Sequence, residues 1–376
     1  MKFIHTADWQ IGMRAAHVGA VAELVRAERL SAARRVVEIA HAKSADFIVV
    51  AGDLFQDNGV ERILVQQVAD ILGAFAKPVY IIPGNHDPFV PGSVWEHPAW
   101  KSHPTITIFV EPAPVEFEWG KLYPCPLREK HSFNDPTRWI QSDGGSGIRI
   151  GVAHGTVEGV PIDEPDYPIP RDAALRAGLE YLALGHWHST ATYADETDAV
   201  RMAYAGTHET TKFGERDSGN VLLVEIETAQ QTPVITPLKT GGLVWETSVE
   251  EMAHEGDLTR FRERIEQLDN GKRRLVDIRL LGLFAAGESS EIERLGEIVA
   301  SRFLFGRVDT TGLRPRPGDD HWVSDLPIGP VREAAARLCD WSSLASTIPR
   351  PEGARSELAT QALLTLYQLA NRGRPS

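Results

Sequence analysis

Three consecutive residues, Asn85, His86 and Asp87, combine an amide, an imidazole and a carboxylate within one short stretch. They follow Gly84 and the apolar run 78–83, whose β-branched and aromatic residues predict a buried strand. Open α/β sheets usually place ligand sites at the carboxyl ends of their strands. Asn offers a neutral oxygen, His a nitrogen that ligates or donates a proton, and Asp a charge that can orient the His. Alone, such a triplet is also ordinary turn chemistry.

Four further apolar runs end in the same kinds of side chain. The runs 3–7, 46–51, 148–153 and 180–184 each predict a strand. One polar residue after a strand usually caps a helix or is a hydrogen-bonded core residue. Five such strand ends in one chain are hard to explain in that way. Including those above, the side chains that they carry are Asp8, Gln10, Asp53, Asn85, His86, Asp87, His154, His186 and His188.

This mixture of donors predicts a metal centre. Carboxylate and amide oxygens together with imidazole nitrogens suit manganese, iron or zinc better than calcium or a thiolate-held metal. The two cysteines, Cys125 and Cys339, lie outside the clusters. Glycine stands beside them, where it would let the backbone approach a metal closely.

In this order the motifs resemble those of calcineurin-like metallophosphoesterases. The opening residues 1–9 and the string from Gly52 to Phe55 are most similar to SbcD-type DNA repair nucleases within that superfamily. Two residues depart from the pattern, since Gln10 stands where the family usually has His and Gln56 where the nuclease branch often has His. A Gln carbonyl oxygen can ligate a hard cation, but it is a weaker donor than imidazole.

The resemblance implies phosphodiester hydrolysis with two divalent metal ions, manganese first and iron or zinc as alternatives. It implies that Asp53 bridges the ions, that His86 protonates the leaving oxygen or stabilises the transition state, and that Asp87 is a possible partner of His86. The implied ligands of the first ion are Asp8, Gln10 and His188, and those of the second are Asn85, His154 and His186.

The composition is that of a globular protein of 376 residues, long enough for two or more domains. No apolar run is long enough to span a bilayer, and the N-terminus lacks a signal-peptide pattern. Two cysteines far apart in sequence argue against disulfides. We therefore expect a cytoplasmic protein without a membrane partner.

The formal charge of −13 does not favour nucleic acid binding, which normally uses a basic surface. Residues 1–240 hold 21 Lys and Arg against 31 Asp and Glu, and residues 241–376 hold 18 against 21. Two divalent ions would offset about four charges locally. DNA is thus compatible with the charge but not predicted by it.

The alternation of strands and helices predicts a partly parallel sheet. Helices are expected over 18–44 and 61–75, between the first three strands. Arg26 and Arg29 on the first helix are interpreted as a solvated face. Further strands later in the chain fit a two-sheet sandwich flanked by helices, the α/β (α+β) fold that the resemblance implies, over residues 1–240.

Two irregular segments, 88–104 and 155–170, are predicted to form surface loops at the rim of the site. The second contains four acidic residues, which are interpreted as a solvated face rather than a further metal site. They are Glu158, Asp163, Glu164 and Asp166.

Residues 241–320 predict a small α+β domain, and 321–376 predict two helices after a linker over 314–329. In SbcD-like proteins the first region is a cap that positions DNA, and the tail docks on the coiled coil of an SbcC-type ABC ATPase. The chain has no phosphate-binding loop of the ATPase type, so an ATPase would act in trans.

These patterns predict a metal-dependent DNA nuclease in double-strand break repair, the nuclease subunit of an SbcCD-like complex. Two alternatives stay open: a phosphoesterase acting on a small diester or monoester, and a weakly active subunit that binds DNA ends. A homodimer is also compatible with the sequence.

Overall fold

The structure, a computed structural model, describes residues 1–142, 147–160, 166–317, 320–343, 348–351 and 354–371. Asp163 and Glu164 of the acidic segment lie outside these ranges. The chain divides into two compact units, Met1–Trp245 and Glu246–Ser376. Residues 241–245 of the predicted α+β region therefore belong to the first unit.

The first unit alternates strands with helices in its early part and continues mainly in strands. Its helices are α1 (Ala22–Ala42), α2 (Arg62–Gly73) and α3 (Ala173–Arg176). Its strands are β1 (Lys2–Thr6), β2 (Phe47–Ala51), β3 (Val79–Ile82), β4 (Ile106–Ile108), β5 (Val115–Phe117), β6 (Gly120–Pro124), β7 (Ile148–His154), β8 (Tyr181–Gly185), β9 (Ala191–Ala194), β10 (Val200–Tyr204), β11 (Asn220–Glu225) and β12 (Val234–Lys239).

Two sheets organise these strands. The first has the order β12-β11-β1-β2-β3-β4, with β1 to β4 parallel and β11 antiparallel to β1. The second has the order β5-β6-β7-β8-β10-β9, with β6, β7, β8 and β10 parallel. The antiparallel edge strands β5, β9 and β12 carry polar residues on short segments, which makes them hard to predict.

Side chains of each central strand alternate between two cores. In β2, Phe47, Val49 and Ala51 pack against residues of β7 and β8, between the two sheets. Ile48 and Val50 face the other way, toward α1 and α2. A third core covers the outer face of the second sheet, where β8 packs against α3. The predicted two-sheet sandwich flanked by helices is therefore confirmed.

The buried face of α1 differs from the predicted one. Leu24 is 56% exposed, whereas Val25 and Ala32 are buried. Arg29 was interpreted as solvated, and that interpretation is wrong, because Arg29 is 1% exposed. A long helix rich in alanine and charge has weak amphipathicity, so its sequence pattern does not determine the buried face.

The second unit contains a helix and sheet layer followed by three helices. Its sheet has the order β13-β14-β15, and β14 and β15 are parallel. Helix α6 falls inside the segment predicted as a linker. The elements are β13 (Val244–Met252), α4 (Asp257–Glu266), β14 (Arg274–Phe284), α5 (Ser289–Arg302), β15 (Phe305–Pro315), α6 (His321–Ser324), α7 (Pro330–Ser342) and α8 (Ser356–Asn371).

Two cores stabilise this unit. Helices α4 and α5 cover the sheet, with Phe261 and Leu295 among the buried residues. A smaller cluster joins α6, α7 and α8 through Val323, Ala335 and Leu363. None of the helices in the described ranges is both long and apolar enough to cross a membrane.

Candidate metal centre

The polar strand ends meet at one place because the parallel strands of both sheets deliver them to it. Asp8 follows β1, Asp53 follows β2 and Asn85 follows β3. His154 ends β7, and His186 follows β8. Contacts between the two groups show the convergence: His154 Nε2 lies 2.9 Å from Asn85 Oδ1, and the His186 amide donates to both carboxylate oxygens of Asp8 at 3.1 and 3.0 Å.

Two carboxylates and one imidazole form the centre of this cluster. Asp8, Asp53 and His154 each offer a donor atom, and these atoms lie within 4.8 Å of one another. The exposed fractions of the three residues are 0%, 1% and 0%. Burying charges of this kind is costly unless they are paired or bind a metal.

A hydrogen bond to a backbone carbonyl group fixes the ring of His154. Its Nδ1 lies 2.8 Å from the carbonyl oxygen of Ala51, which can only accept a hydrogen bond. A proton therefore sits on Nδ1, and Nε2 is the nitrogen that faces the cluster, 3.4 Å from Asp53 Oδ1. This is the arrangement that metal-ligating histidines commonly adopt.

His188 is oriented by a residue that the sequence analysis did not identify. Its Nδ1 lies 2.7 Å from Glu215 Oε1, and Glu215 Oε2 accepts the backbone N–H of Thr211 at 2.7 Å. The Glu215 side chain is 5% exposed. Glu215 lies in a loop without periodicity, so no sequence pattern marked it.

The side chain of Asn85 is held through its amide nitrogen. Its Nδ2 donates to Asp166 Oδ2 at 3.5 Å, while its Oδ1 faces His154 and lies 3.3 Å from His186 Nδ1. Asp166 also accepts the backbone N–H of Ser132 at 2.8 Å. Among the described residues of the acidic segment, Asp166 thus contacts the site rather than solvent alone.

Gln10 lies in the cluster, but its contact is made through nitrogen. Its Nε2 donates to Asp53 Oδ2 at 3.1 Å, and the residue is 6% exposed. The Gln10 amide group therefore occupies Asp53 Oδ2, an oxygen that would otherwise be available to a cation. An amide rotation would exchange nitrogen for oxygen at this position.

His86 and Asp87 make separate contacts. His86 Nδ1 lies 2.9 Å from the carbonyl oxygen of Gln56, and its Nε2 lies 4.0 Å from Asp53 Oδ2. Asp87 accepts the backbone N–H groups of Phe55 at 2.9 Å and Gly84 at 2.8 Å. These contacts tie together the loops that follow β2 and β3, and they do not place Asp87 as a partner of His86.

Several site residues have left-handed backbone. The φ angles of Asp8, Gln10, Asp53 and His186 are 54°, 46°, 52° and 108°. Such angles cost free energy for residues with a Cβ and are often found at functional sites. Close packing adds a further demand at Gly84, where a Cβ would lie 2.2 Å from Asp53 Oδ1.

Burial and neighbouring charges shift the pKa of several residues in the cluster. Burial raises the pKa of Asp8 to about 6 and, together with the charge of Asp53, raises the pKa of Asp87 to about 7. Burial alone would lower the pKa of His154, but the Asp53 carboxylate raises it to about 9. Burial also lowers the pKa of His186 to about 4. His154 therefore supplies positive charge to this cluster, and it pairs mainly with Asp53.

The donor set fits divalent cations. Burial raises the pKa of Asp8 even though His154 lies nearby, and a metal ion would provide the positive charge that stabilises this carboxylate. Oxygen and imidazole donors match manganese, iron and zinc. The carboxylates, the Asn85 oxygen and the anchored imidazoles lie together where the carboxyl ends of strands from both sheets meet, and these cations could bind there.

Beneath the cluster, Arg29 holds the loops that carry it. Its guanidinium donates to the carbonyl oxygen of Trp9, to Glu209 O at 2.7 Å and to Thr207 Oγ1 at 3.2 Å. Burial lowers the pKa of Arg29 to about 10, so it keeps its charge at neutral pH. His208 packs on Trp9 with a centroid distance of 4.8 Å and is a buried core residue.

The chain is similar to known proteins. The family model described as calcineurin-like phosphoesterase matches residues 1–190. An uncharacterised metallophosphoesterase of Bacillus subtilis (strain 168), YhaO, is 22% identical over 280 residues, which are 71% of this chain and 67% of the relative. The crystal structure of TT1561 of Thermus thermophilus aligns with 64% of this chain and 98% of its own, at 12% identity and a TM-score of 0.42.

Proposed function

Since the chain belongs to the calcineurin-like phosphoesterase family, whose members hydrolyse phosphoesters with divalent metals, we propose that it is an SbcD-type DNA nuclease acting in double-strand break repair. The observation that carries this proposal is the convergence of Asp8, Asp53 and His154, with donor atoms within 4.8 Å, at the edge of a two-sheet sandwich. Phosphodiester hydrolysis by two metals requires such a buried anionic cluster.

Residues of this chain would hold the metals as follows. Asp8, Gln10 and His188 would bind the first ion. Asp53 would contribute an oxygen to each of the two ions. The second ion would be bound by Asn85, His154 and His186. When bound, the two ions would supply Lewis acidity beside the scissile phosphate.

His86 is suited to proton transfer. Its Nδ1 donates to the Gln56 carbonyl, so Nε2 is the nitrogen that can take or give a proton. Its side chain is 33% exposed, in contrast to the buried His154. A substrate can therefore reach Nε2 while the ring is held in place. We assign His86 as the acid that protonates the leaving oxygen.

A polymeric substrate is supported by two features. The residues from Gly52 to Phe55 resemble the nuclease branch of the family. The second unit, 246–376, lies beyond the residues matched by the family model, as would a cap and a docking tail. Neither feature is required for a small phosphoester.

The contact between Gln10 and Asp53 favours one alternative. Because Gln10 Nε2 donates to Asp53 Oδ2, that oxygen is partly used before a metal binds. A chain with a weakened first metal site would bind DNA ends and cut them slowly. This weakly active DNA-end binding subunit is the second candidate function.

The partner we propose is an SbcC-type ABC ATPase, docked through its coiled coil on the helical tail. Leu358 and Leu369 of α8 are 56% and 51% exposed, while Leu363 is buried against α6 and α7. A helix with both a packed and an exposed apolar face suits coiled-coil binding. Loss of co-purification on Leu358→Asp would support this site, and unchanged co-purification would contradict it.

The experiment is a manganese-dependent assay on single-stranded DNA, double-stranded DNA and bis(p-nitrophenyl) phosphate. Cleavage of DNA that Asp53→Asn abolishes would support the nuclease. In the same assay we expect His86→Ala to lower turnover by about a hundredfold while metal content is retained. Hydrolysis of the small diester without DNA cleavage would favour a small-molecule phosphoesterase, and DNA binding without cleavage would favour the end-binding subunit.

A further inference from the structure

Phe133 is an aromatic ring left almost entirely in solvent close to the metal centre. It is 93% exposed, whereas Phe47, Phe55 and Phe75 are completely buried. An isolated exposed apolar residue can be incidental. Phe133, however, lies on a hydrogen-bonded loop that contacts the metal centre, so its ring could contact a substrate bound there.

Hydrogen bonds hold the part of the loop that directly precedes the ring. The Ser132 N–H donates to Asp166 Oδ1 at 2.8 Å, and the Ser132 carbonyl accepts the N–H of Tyr167 at 2.9 Å. The Tyr167 hydroxyl in turn donates to the Glu129 carbonyl at 2.8 Å. The backbone next to Phe133 is therefore fixed even though the ring is not covered.

The same contacts connect the loop to the metal centre. His131 Nδ1 lies 3.1 Å from Asp166 Oδ2, and Asn85 Nδ2 lies 3.5 Å from that same oxygen. Two hydrogen bonds thus separate His131 from a residue that faces His154. Because two residues extend at most about 7 Å, the Cα of Phe133 lies within that distance of the Cα of His131. A DNA strand advances about 3.4 Å per nucleotide, so the ring is within a few nucleotides of the cluster.

The chemistry of this loop suits a nucleic acid strand. Lys130 and His131 are exposed beside the ring, and the His131 side chain is 74% exposed. Single-stranded nucleic acids are commonly bound by an aromatic ring on which a base stacks, next to basic groups that face the phosphates. Paired bases inside a duplex do not offer a face to such a ring, because both of their faces are stacked on neighbouring pairs.

We propose that Phe133 stacks on an unpaired nucleobase of the DNA substrate and so selects ends with a single-stranded overhang. This inference rests on the proposed function, because it specifies how that substrate is bound. It adds a substrate contact at a position that no metal-binding motif includes.

The test is equilibrium binding of fluorescent oligonucleotides in EDTA, where cleavage does not occur. We expect Phe133→Ala to raise the Kd of an overhang oligonucleotide by about tenfold and to change blunt duplex binding much less. Phe133→Trp should retain overhang affinity. A 2-aminopurine base in the overhang should be quenched by the wild type and by the Trp variant, and less by the Ala variant.

Val234→Ala is the matched control, because Val234 is also an exposed apolar residue, at 60%. It pairs with Glu225, which in turn pairs with Lys2 at the start of β1, so it lies at the opposite end of that strand from the metal centre. Its Kd should equal that of the wild type. Equal overhang affinity for Phe133→Ala and wild type would overturn the inference, as would the absence of any DNA binding by the wild type. If the wild type binds DNA through Phe133 but does not cut it with manganese, the nuclease proposal fails while this inference holds.

Discussion

Glu215 acts on the metal centre through one imidazole. It accepts from His188 Nδ1 at 2.7 Å and is held by Thr211, so Nε2 of His188 is the nitrogen available to a cation. Carboxylate contacts of this kind fix the ring and raise its basicity. Glu215 therefore extends the site by one residue beyond the expected ligands.

We expect Glu215→Gln to weaken binding of one manganese ion by about tenfold, because the amide keeps the shape but loses the charge that supports His188. Calorimetric titration with manganese measures this. Glu225→Gln is the control, since Glu225 pairs with Lys2 at the protein surface, 3.4 Å away. Identical titrations of the Glu215 variant and the wild type would show that His188 does not ligate.

Gln10→His should tighten the weaker metal-binding step and raise activity most when metal is scarce. Imidazole nitrogen is a stronger donor than an amide, and the substitution removes the contact that Gln10 Nε2 makes with Asp53. Activity measured against manganese concentration for both proteins is the test. If the two curves superimpose, Gln10 lies outside the coordination of the first ion.

Residue types and their order were sufficient to identify the residues that converge, because each stands at the end of an apolar run. The sequence did not reveal how each side chain is held. Asp87 bonds two backbone N–H groups, and Gln10 presents nitrogen to Asp53. These contacts depend on left-handed backbone and on loops that meet only in the folded chain.

For helix α1, the sequence predicted the helix but not which of its faces is buried. Its existence followed from composition, but its buried face depends on Arg29, which a polarity pattern assigns to solvent. The guanidinium is stabilised by carbonyl groups from two loops, after β1 and after β10, that are distant in sequence. Long-range partners of this type leave no local signal.

Arg29→Leu should lower the free energy of unfolding by about 3 kcal/mol or more, because several buried carbonyl groups lose their donor. Arg26→Leu, on the exposed side of α1, should change it by less than about 0.5 kcal/mol. Urea denaturation followed by tryptophan fluorescence compares them. Equal stability of the two variants would mean that the Arg29 contacts contribute no net free energy.

For the whole molecule, the boundary of the first unit differs from that of the family match. The match ends at residue 190, but β11 and β12 belong to the same sheet as β1. Glu209 and Glu215, which contact Arg29 and His188, also follow residue 190. The catalytic unit therefore needs residues up to Trp245.

We expect a fragment of residues 1–245 to fold and bind manganese, and a fragment of residues 1–190 to do neither. The shorter fragment loses β9, β10, β11 and β12 and exposes an edge of β1. Circular dichroism with thermal melting, together with manganese titration, distinguishes the two. A cooperative melt and metal binding by residues 1–190 would show that the later strands are dispensable.

The position of β1 in its sheet also has a consequence during synthesis. Strand β1 is translated well before its antiparallel neighbour β11, which spans Asn220–Glu225. At about 5–20 residues per second, roughly 10 to 45 s pass before that neighbour is translated. During this interval Phe3 and Ile4 belong to a strand with an unpaired edge, so a ribosome-bound chain is vulnerable to aggregation until β11 emerges.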